Sequence, residues 1–188
     1  MKAVRMWALG LSLLALGSVV WVGGFAFAGE NKELVASVKS IAAAIKKGDK
    51  AGAEKLTEAA AKKADETEIV MDMFKIKKKG GIGVGPKETD GIDVMLRGIS
   101  RDGPKDVAKN AEMYEEMAYH TAALAHITAK VPNDKGKKDL KTWNKYCEEM
   151  AKGSTDLAKA AVAKAAQDVK TAATQVYAAC NNCHSKFK

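Results

Sequence analysis

Apolar residues recur at helical spacing through most of the chain, and strand-like alternation never holds for more than a few residues beyond residue 28. Leu34, Val38, Ile41 and Ile45 lie three or four apart and predict a first helical stripe. Gly48-Asp49 interrupts it, and Ala53, Leu56, Ala60 and Ala64 resume it, so this region is expected to be broken or to form two short helices. Residues 65–74 have room for another turn or two. Three long helices are expected to close the chain. The first covers residues 105–130, bounded by Pro104 and Pro132. The second runs from 137 to about 164, with Leu140, Trp143, Cys147, Met150 and Leu157 on one face. The last is capped by Asp168 and runs to about Ser185. Short links make these three antiparallel neighbours. The expected fold is all-α: an antiparallel four-helix bundle with a long irregular insertion, residues 75–103, between its first and second principal helices. Within that insertion, residues 91–99 can form a short helix.

The N-terminus changes which residues count toward the fold. Lys2 and Arg5 precede a charge-free apolar stretch over residues 7–25, and Ala26-Phe27-Ala28 makes a small-x-small cleavage site. Residues 1–28 are therefore expected to be a signal peptide and residues 29–188 a single exported domain, in the periplasm or an equivalent compartment, with no membrane attachment after cleavage. An uncleaved anchor is the alternative, because the apolar run is nearly long enough to span a bilayer. The chain's 31 basic and 23 acidic residues leave a net charge of +8, which loss of Lys2 and Arg5 lowers to +6. A modestly basic surface suits an acidic redox partner protein or an anionic surface. Dispersed charge on an exported chain argues against nucleic acid. The run from Lys77 to Pro86 mixes lysines and glycines, but it lacks the preceding strand and the Gly-Lys-Ser/Thr of a phosphate loop. It is expected to be a flexible basic surface loop, and it is a plausible docking surface.

Candidate chemistry concentrates at the other end. Cys180-Asn181-Asn182-Cys183-His184 places two thiols three positions apart with a histidine beside the second. Each thiol can add to one vinyl group of a haem, and His184 can then bind the iron. A bare Cys-x-x-Cys also serves as a redox dithiol or half a zinc site; the adjoining histidine and the leader favour one covalent haem c. The third cysteine, Cys147, is left unpaired in an oxidising compartment. Antiparallel helices advance equally from their turn, about 1.5 Å per residue. A turn near Ala166 puts Cys147 level with the iron, and one near Asp134 puts His120 at about that height, to within a helical turn. Cys147 is thus a candidate distal iron ligand, since ferric iron favours thiolate, or else a small buried hydrophobe. His120 is a less favoured distal ligand, or a hydrogen-bonded pocket residue. His126 is expected at the surface or in a structural role. Met71, Met73 and Met117 are minor ligand candidates, and Met113, Tyr114 and Met117 form an expected pocket wall. No paired carboxylates or nucleophile with base stand at catalytic spacing, so no enzyme is expected, and Asp72, Glu115 and Glu116 read as solvated surface.

The C-terminal pattern Cys-x-x-Cys-His-x-x-aromatic-basic, here Cys180, Cys183, His184, Phe187 and Lys188, resembles that of the class II cytochromes c, the cytochrome c′ group. The family more often has arginine where Lys188 stands. Residues 73–85 are similar to a segment of small exported cytochromes of planctomycete type. With Cys147 added, the combination resembles the His/Cys-ligated, low-potential heterodimeric cytochromes of anammox metabolism. The resemblance implies a four-helix bundle, electron transfer, and pairing with itself or with a related cytochrome. A thiolate ligand would stabilise ferric iron and lower the potential. Cytochromes c′ leave the distal side open, so the alternative function is NO or CO binding at an open or displaceable site.

Overall fold

Small side chains set how closely the helices of this protein approach one another. The computed structural model describes residues 26–64 and 66–188, with side chains from residue 32 onward. Residues 1–25, which carry most of the expected leader, lie outside the described residues. The described chain is all-α, with eight helices packed together and no strand among the described residues. None of these helices is long and apolar enough to cross a membrane.

Helices α1 (Ala26–Lys47) and α2 (Lys50–Ala64) form a hairpin. Gly48, with φ of +74°, reverses the chain, and the Asp49 carboxylate caps α2 by accepting the Gly52 amide at 2.8 Å. Leu34, Val38 and Ile41 are buried as the pattern predicts. On α2 the expected Leu56 is 38% exposed, and Thr57 takes its place in the stripe with Ala53, Ala60 and Ala64. Thr57 tolerates burial because its hydroxyl donates to the Ala53 carbonyl at 2.8 Å. Helix α3 (Thr67–Asp72) is pinned to the far end of the fifth helix by the Thr67 hydroxyl, which donates to the Val131 carbonyl.

The segment after α3 is divided. Lys75, Lys78, Lys79 and residues 86–89 are exposed, as expected of a basic surface loop, whereas residues 82–84 and Gly91 pack against the helices. Val84 is buried, the Ile82 amide donates to the Met73 carbonyl at 3.0 Å, and the Asp93 amide donates to Phe74 at 3.1 Å. Lysines 77–79 form a single 3-10 turn. Glycine is required at position 83, where φ is +76° and a Cβ atom would lie 2.2 Å from the Lys77 side chain. Helix α4 (Ile92–Asp102) then buries Ile92, Leu96 and Ile99 and lies against the last helix.

Helix α5 (Val107–Lys130) is capped by Asp106 and ends before Pro132. Its Tyr114 ring is buried, with the hydroxyl donating to the Lys105 carbonyl at 2.9 Å. After the short α6 (Asp134–Lys138) come α7 (Leu140–Val162) and α8 (Ala166–Phe187). Helix α7 packs against both α5 and α8, and α1 lies against α5. At Gly153 a Cβ atom would stand 3.0 Å from Val176, so α7 and α8 nearly touch there. Two further expectations are corrected. Leu140, expected on the buried face, is 49% exposed at the first residue of α7. Asp168 does not cap α8, which starts at Ala166. It lies in the first turn, where a negative charge still meets the unpaired amides.

Gly83→Ala is expected to lower unfolding stability by about 1–3 kcal/mol, from left-handed strain plus displacement of Lys77. A denaturant titration measures this, and an unchanged midpoint would show that the segment relaxes freely.

Candidate functional site

Helices α7 and α8 meet in one antiparallel register, and the candidate residues lie along it. Trp143 packs edge-on against Phe187, with centroids 5.3 Å apart and rings inclined at 67°. One turn along, Cys147 and Cys183 share the same apolar cluster, which Tyr146 and Ala129 flank. A turn further, the Cys180 thiol points at the Met150 sulfur, 3.5 Å away. The sequence pattern puts Trp143, Cys147 and Met150 on one helix face, and all three are buried.

The ends of this pair are tied together. Asp139 caps α7 by accepting the Thr142 amide at 3.1 Å, and it accepts from the Lys186 ammonium of α8 at 2.6 Å. These contacts hold its carboxyl down to about 2. Asn133, which caps α6, donates to the Phe187 carbonyl at 3.0 Å. The Trp143 indole donates to the Thr128 carbonyl at 3.0 Å and brings in α5. Sequence reasoning missed this bracing set, although Asn133 and Asp139 are both capping residues placed just before helical runs.

All three thiols are free. Burial pushes the Cys147 thiol up to about 12, with smaller contributions from nearby Cys183 and Cys180. Burial does the same to Cys180, also to about 12, and raises Cys183. Each sulfur therefore keeps its proton near neutral pH. His184 is exposed, yet partial desolvation and then the positive Lys188 lower its pKa, which favours the neutral imidazole. Two thiols and an adjacent imidazole can take up a haem by thioether formation and iron ligation. A third thiol that can lose its proton to a metal adds a further donor. Among the described residues no group of three or more His, Cys, Asp or Glu side chains is placed to hold a metal ion by itself.

The structure brings Cys147, Cys180 and Cys183 together, with His184 on the exposed side of α8. It places His120 elsewhere. Thr128 faces Trp143, so the α5 residue level with Cys147 is near Leu124, and His120 lies about a turn beyond. Its ring turns toward α1 and residues 82–85. His126 is exposed beside Glu54 and Lys130. Met73 and Met117 are core residues, and Met71 is half-buried beside them. Glu115, expected on a solvated surface, is largely buried and pairs with Lys46 of α1 at 2.9 Å.

In the chain with free thiols, alkylation at mildly alkaline pH should modify Cys183 first. Cys147 and Cys180 should follow about tenfold or more slowly, because they are more buried and hold their protons more firmly. Mass spectrometry resolves the three rates, and equal rates would contradict the packing. Asp139→Asn should lower the melting temperature only slightly at neutral pH, because the pair is solvent-exposed and asparagine still caps α7. The ion-paired carboxylate stabilises the fold above the unfolded carboxyl pKa, and that contribution is lost as pH falls through about 2, so the difference from wild type should vanish there. Compared with protein-family models, curated proteins and solved structures, the chain matches none.

Proposed function

We propose that this chain is an exported monohaem c-type cytochrome that carries electrons at low potential. In this reading the long helices α1, α5, α7 and α8 are the members of a class II, cytochrome c′-like four-helix bundle. Haem c joins Cys180 and Cys183, and His184 and Cys147 bind the iron. The observation that carries the reading is the third thiol. Cys147 is 3% exposed and shares its cluster with Cys183, walled by Trp143 and Phe187. The donor set fits the group: two unpaired sulfurs one helical turn apart on α8, and a neutral imidazole next to the second.

When bound, the haem supplies a one-electron couple; the chain supplies its surroundings. Trp143 and Phe187 keep water from Cys147. The Cys147 thiol, held near 12, gives up a proton if it ligates, so ligation is coupled to proton release. An anionic sulfur donor favours the ferric state and lowers the potential. Lys135, Lys186 and Lys188 gather where α8 ends: Lys135 donates to the Lys188 carbonyl at 2.8 Å, and Lys186 pairs with Asp139. That positive edge suits an acidic redox protein. The resemblance adds a dimer, with a second copy or with a related cytochrome.

The same preference for a protonated thiol favours a second reading. A sulfur this ready to regain its proton is a weak donor once the iron is reduced, which leaves room for NO or CO in its place. The protein would then be a sensor or scavenger.

The ferric, haem-loaded protein should give a low-spin, thiolate-type electron paramagnetic resonance signal that disappears in Cys147→Ala. A high-spin signal unchanged by the substitution would overturn the ligand assignment and leave the gas-binding reading. Stopped-flow mixing of the reduced protein with NO separates the two functions further. Protein made alongside a haem attachment system and found free of covalent haem would overturn both.

A further inference from the structure

Cys147 and Cys183 stand opposite each other across the α7–α8 contact, and the pairs on either side of them fix this. Trp143 meets Phe187 with ring centroids 5.3 Å apart, and the Met150 sulfur lies 3.5 Å from the Cys180 sulfur. One turn forward from Trp143 along α7 is Cys147, and one turn back from Phe187 along α8 is Cys183. A further step of three residues in each direction reaches Met150 and Cys180. The two cysteines therefore occupy the facing position between two pairs already in contact, and they share one apolar cluster. Of the other two thiols, Cys183 acts the more strongly on Cys147, although burial is the larger cause of its raised pKa.

The two thiols of the haem motif are worse placed for each other. Side chains three apart on a helix have Cβ atoms about 5–6 Å apart, whereas a disulfide needs about 3.5–4.5 Å. Cys180 and Cys183 both lie inside α8, which continues to Phe187, so a bond between them would distort the helix. The Cys180 sulfur is also turned to Met150. No fixed helical spacing separates Cys147 from Cys183. The close approach of α7 and α8 at Gly153, less than two turns from Cys147, keeps the helices near enough for side-chain rotation to join the sulfurs.

We propose that the haem-free chain forms a disulfide between Cys147 and Cys183, and that this bond withholds both sulfurs from haem. The disulfide rests on helix packing alone; only its consequence for haem rests on the proposed function. The oxidant is itself a disulfide, such as oxidised glutathione. Cys183, the more accessible of the pair, attacks one sulfur of the oxidant as thiolate, forms a mixed disulfide and expels the first glutathione. Cys147 then loses its proton and attacks the Cys183 sulfur, expelling the second glutathione. Two cysteine thiols are oxidised by two electrons, and the oxidant becomes two thiols carrying the protons that the cysteines lost. Exchange with a thiol reductant reverses both steps.

The full chain, made without haem and with its thiols reduced, is treated with oxidised glutathione at mildly alkaline pH. Remaining thiols are alkylated, and peptide mapping without reduction locates the bond. Cys147–Cys183 is expected to exceed Cys180–Cys183 by about tenfold or more. In concentrated guanidinium the order should reverse, because the unfolded chain closes the shorter loop more readily. Cys180→Ala should still form the bond, and Cys147→Ala should leave Cys183 as a mixed disulfide with glutathione. Cys180–Cys183 as the main product of the folded chain, or only mixed disulfides in Cys180→Ala, would overturn the proposal. The oxidised chain should take up no covalent haem from an attachment system free of thiol reductant, whereas the reduced chain should; equal loading of the two would overturn the withholding of haem. A chain that forms the bond yet takes no haem when reduced would count against the haem reading and support the disulfide.

Discussion

The close packing of α7 on α8 is the constraint on which the rest depends. Gly153 lets the two backbones approach at Val176, and Ser154, Leu157 and Ala161 are buried further along α7 toward the turn. From that point the register runs outward through Met150 and Cys180, Cys147 and Cys183, and Trp143 and Phe187. A rotation of either helix would move every one of these pairs together. The thiol cluster is thus a consequence of helix packing, and Trp143, through its bond to Thr128, extends the same geometry to α5.

Packing with small residues brings polar atoms inside, and the chain handles them locally. Thr57, Thr121, Thr128 and Ser154 are buried, and each hydroxyl donates to the carbonyl four residues earlier. No tertiary partner is needed, so helices carrying these residues can slide into contact without leaving a polar group unpaired. His120 departs from that economy. Its ring has no such internal bond and borders the clefts between α1 and α5.

Much of the fold was legible because helix breaks are local events. Gly48-Asp49 separates α1 from α2, and Pro104 and Pro132 bracket α5, through backbone chemistry that involves only neighbouring residues. Counting back from His184 across the α7–α8 turn led to Cys147, because separation along a helix converts directly into height. The same count across the α5–α7 link placed His120 at that height to within a helical turn, and it lies about a turn beyond; the direction of its ring, toward α1, was outside what such a count can give. Leu56, Leu140 and Glu115 were misjudged for another reason. Whether a side chain at the edge of a stripe is covered depends on what lies opposite, and periodicity says nothing about that. The glycine-rich segment was read from composition as a basic surface loop, and composition gave no sign that two of its glycines permit close contact with Lys77 and α5.

By itself the sequence determined the helices, their interruptions and the reactive groups at Cys147, Cys180, Cys183 and His184, because each follows from the covalent identity and short-range preferences of a few residues. Only the tertiary structure decided that Cys147 packs with Cys183 while His120 turns away toward Lys39 and residues 82–85. Those outcomes are set by the rotation of each helix about its axis, and that rotation is chosen by the fit of side chains far apart in the chain.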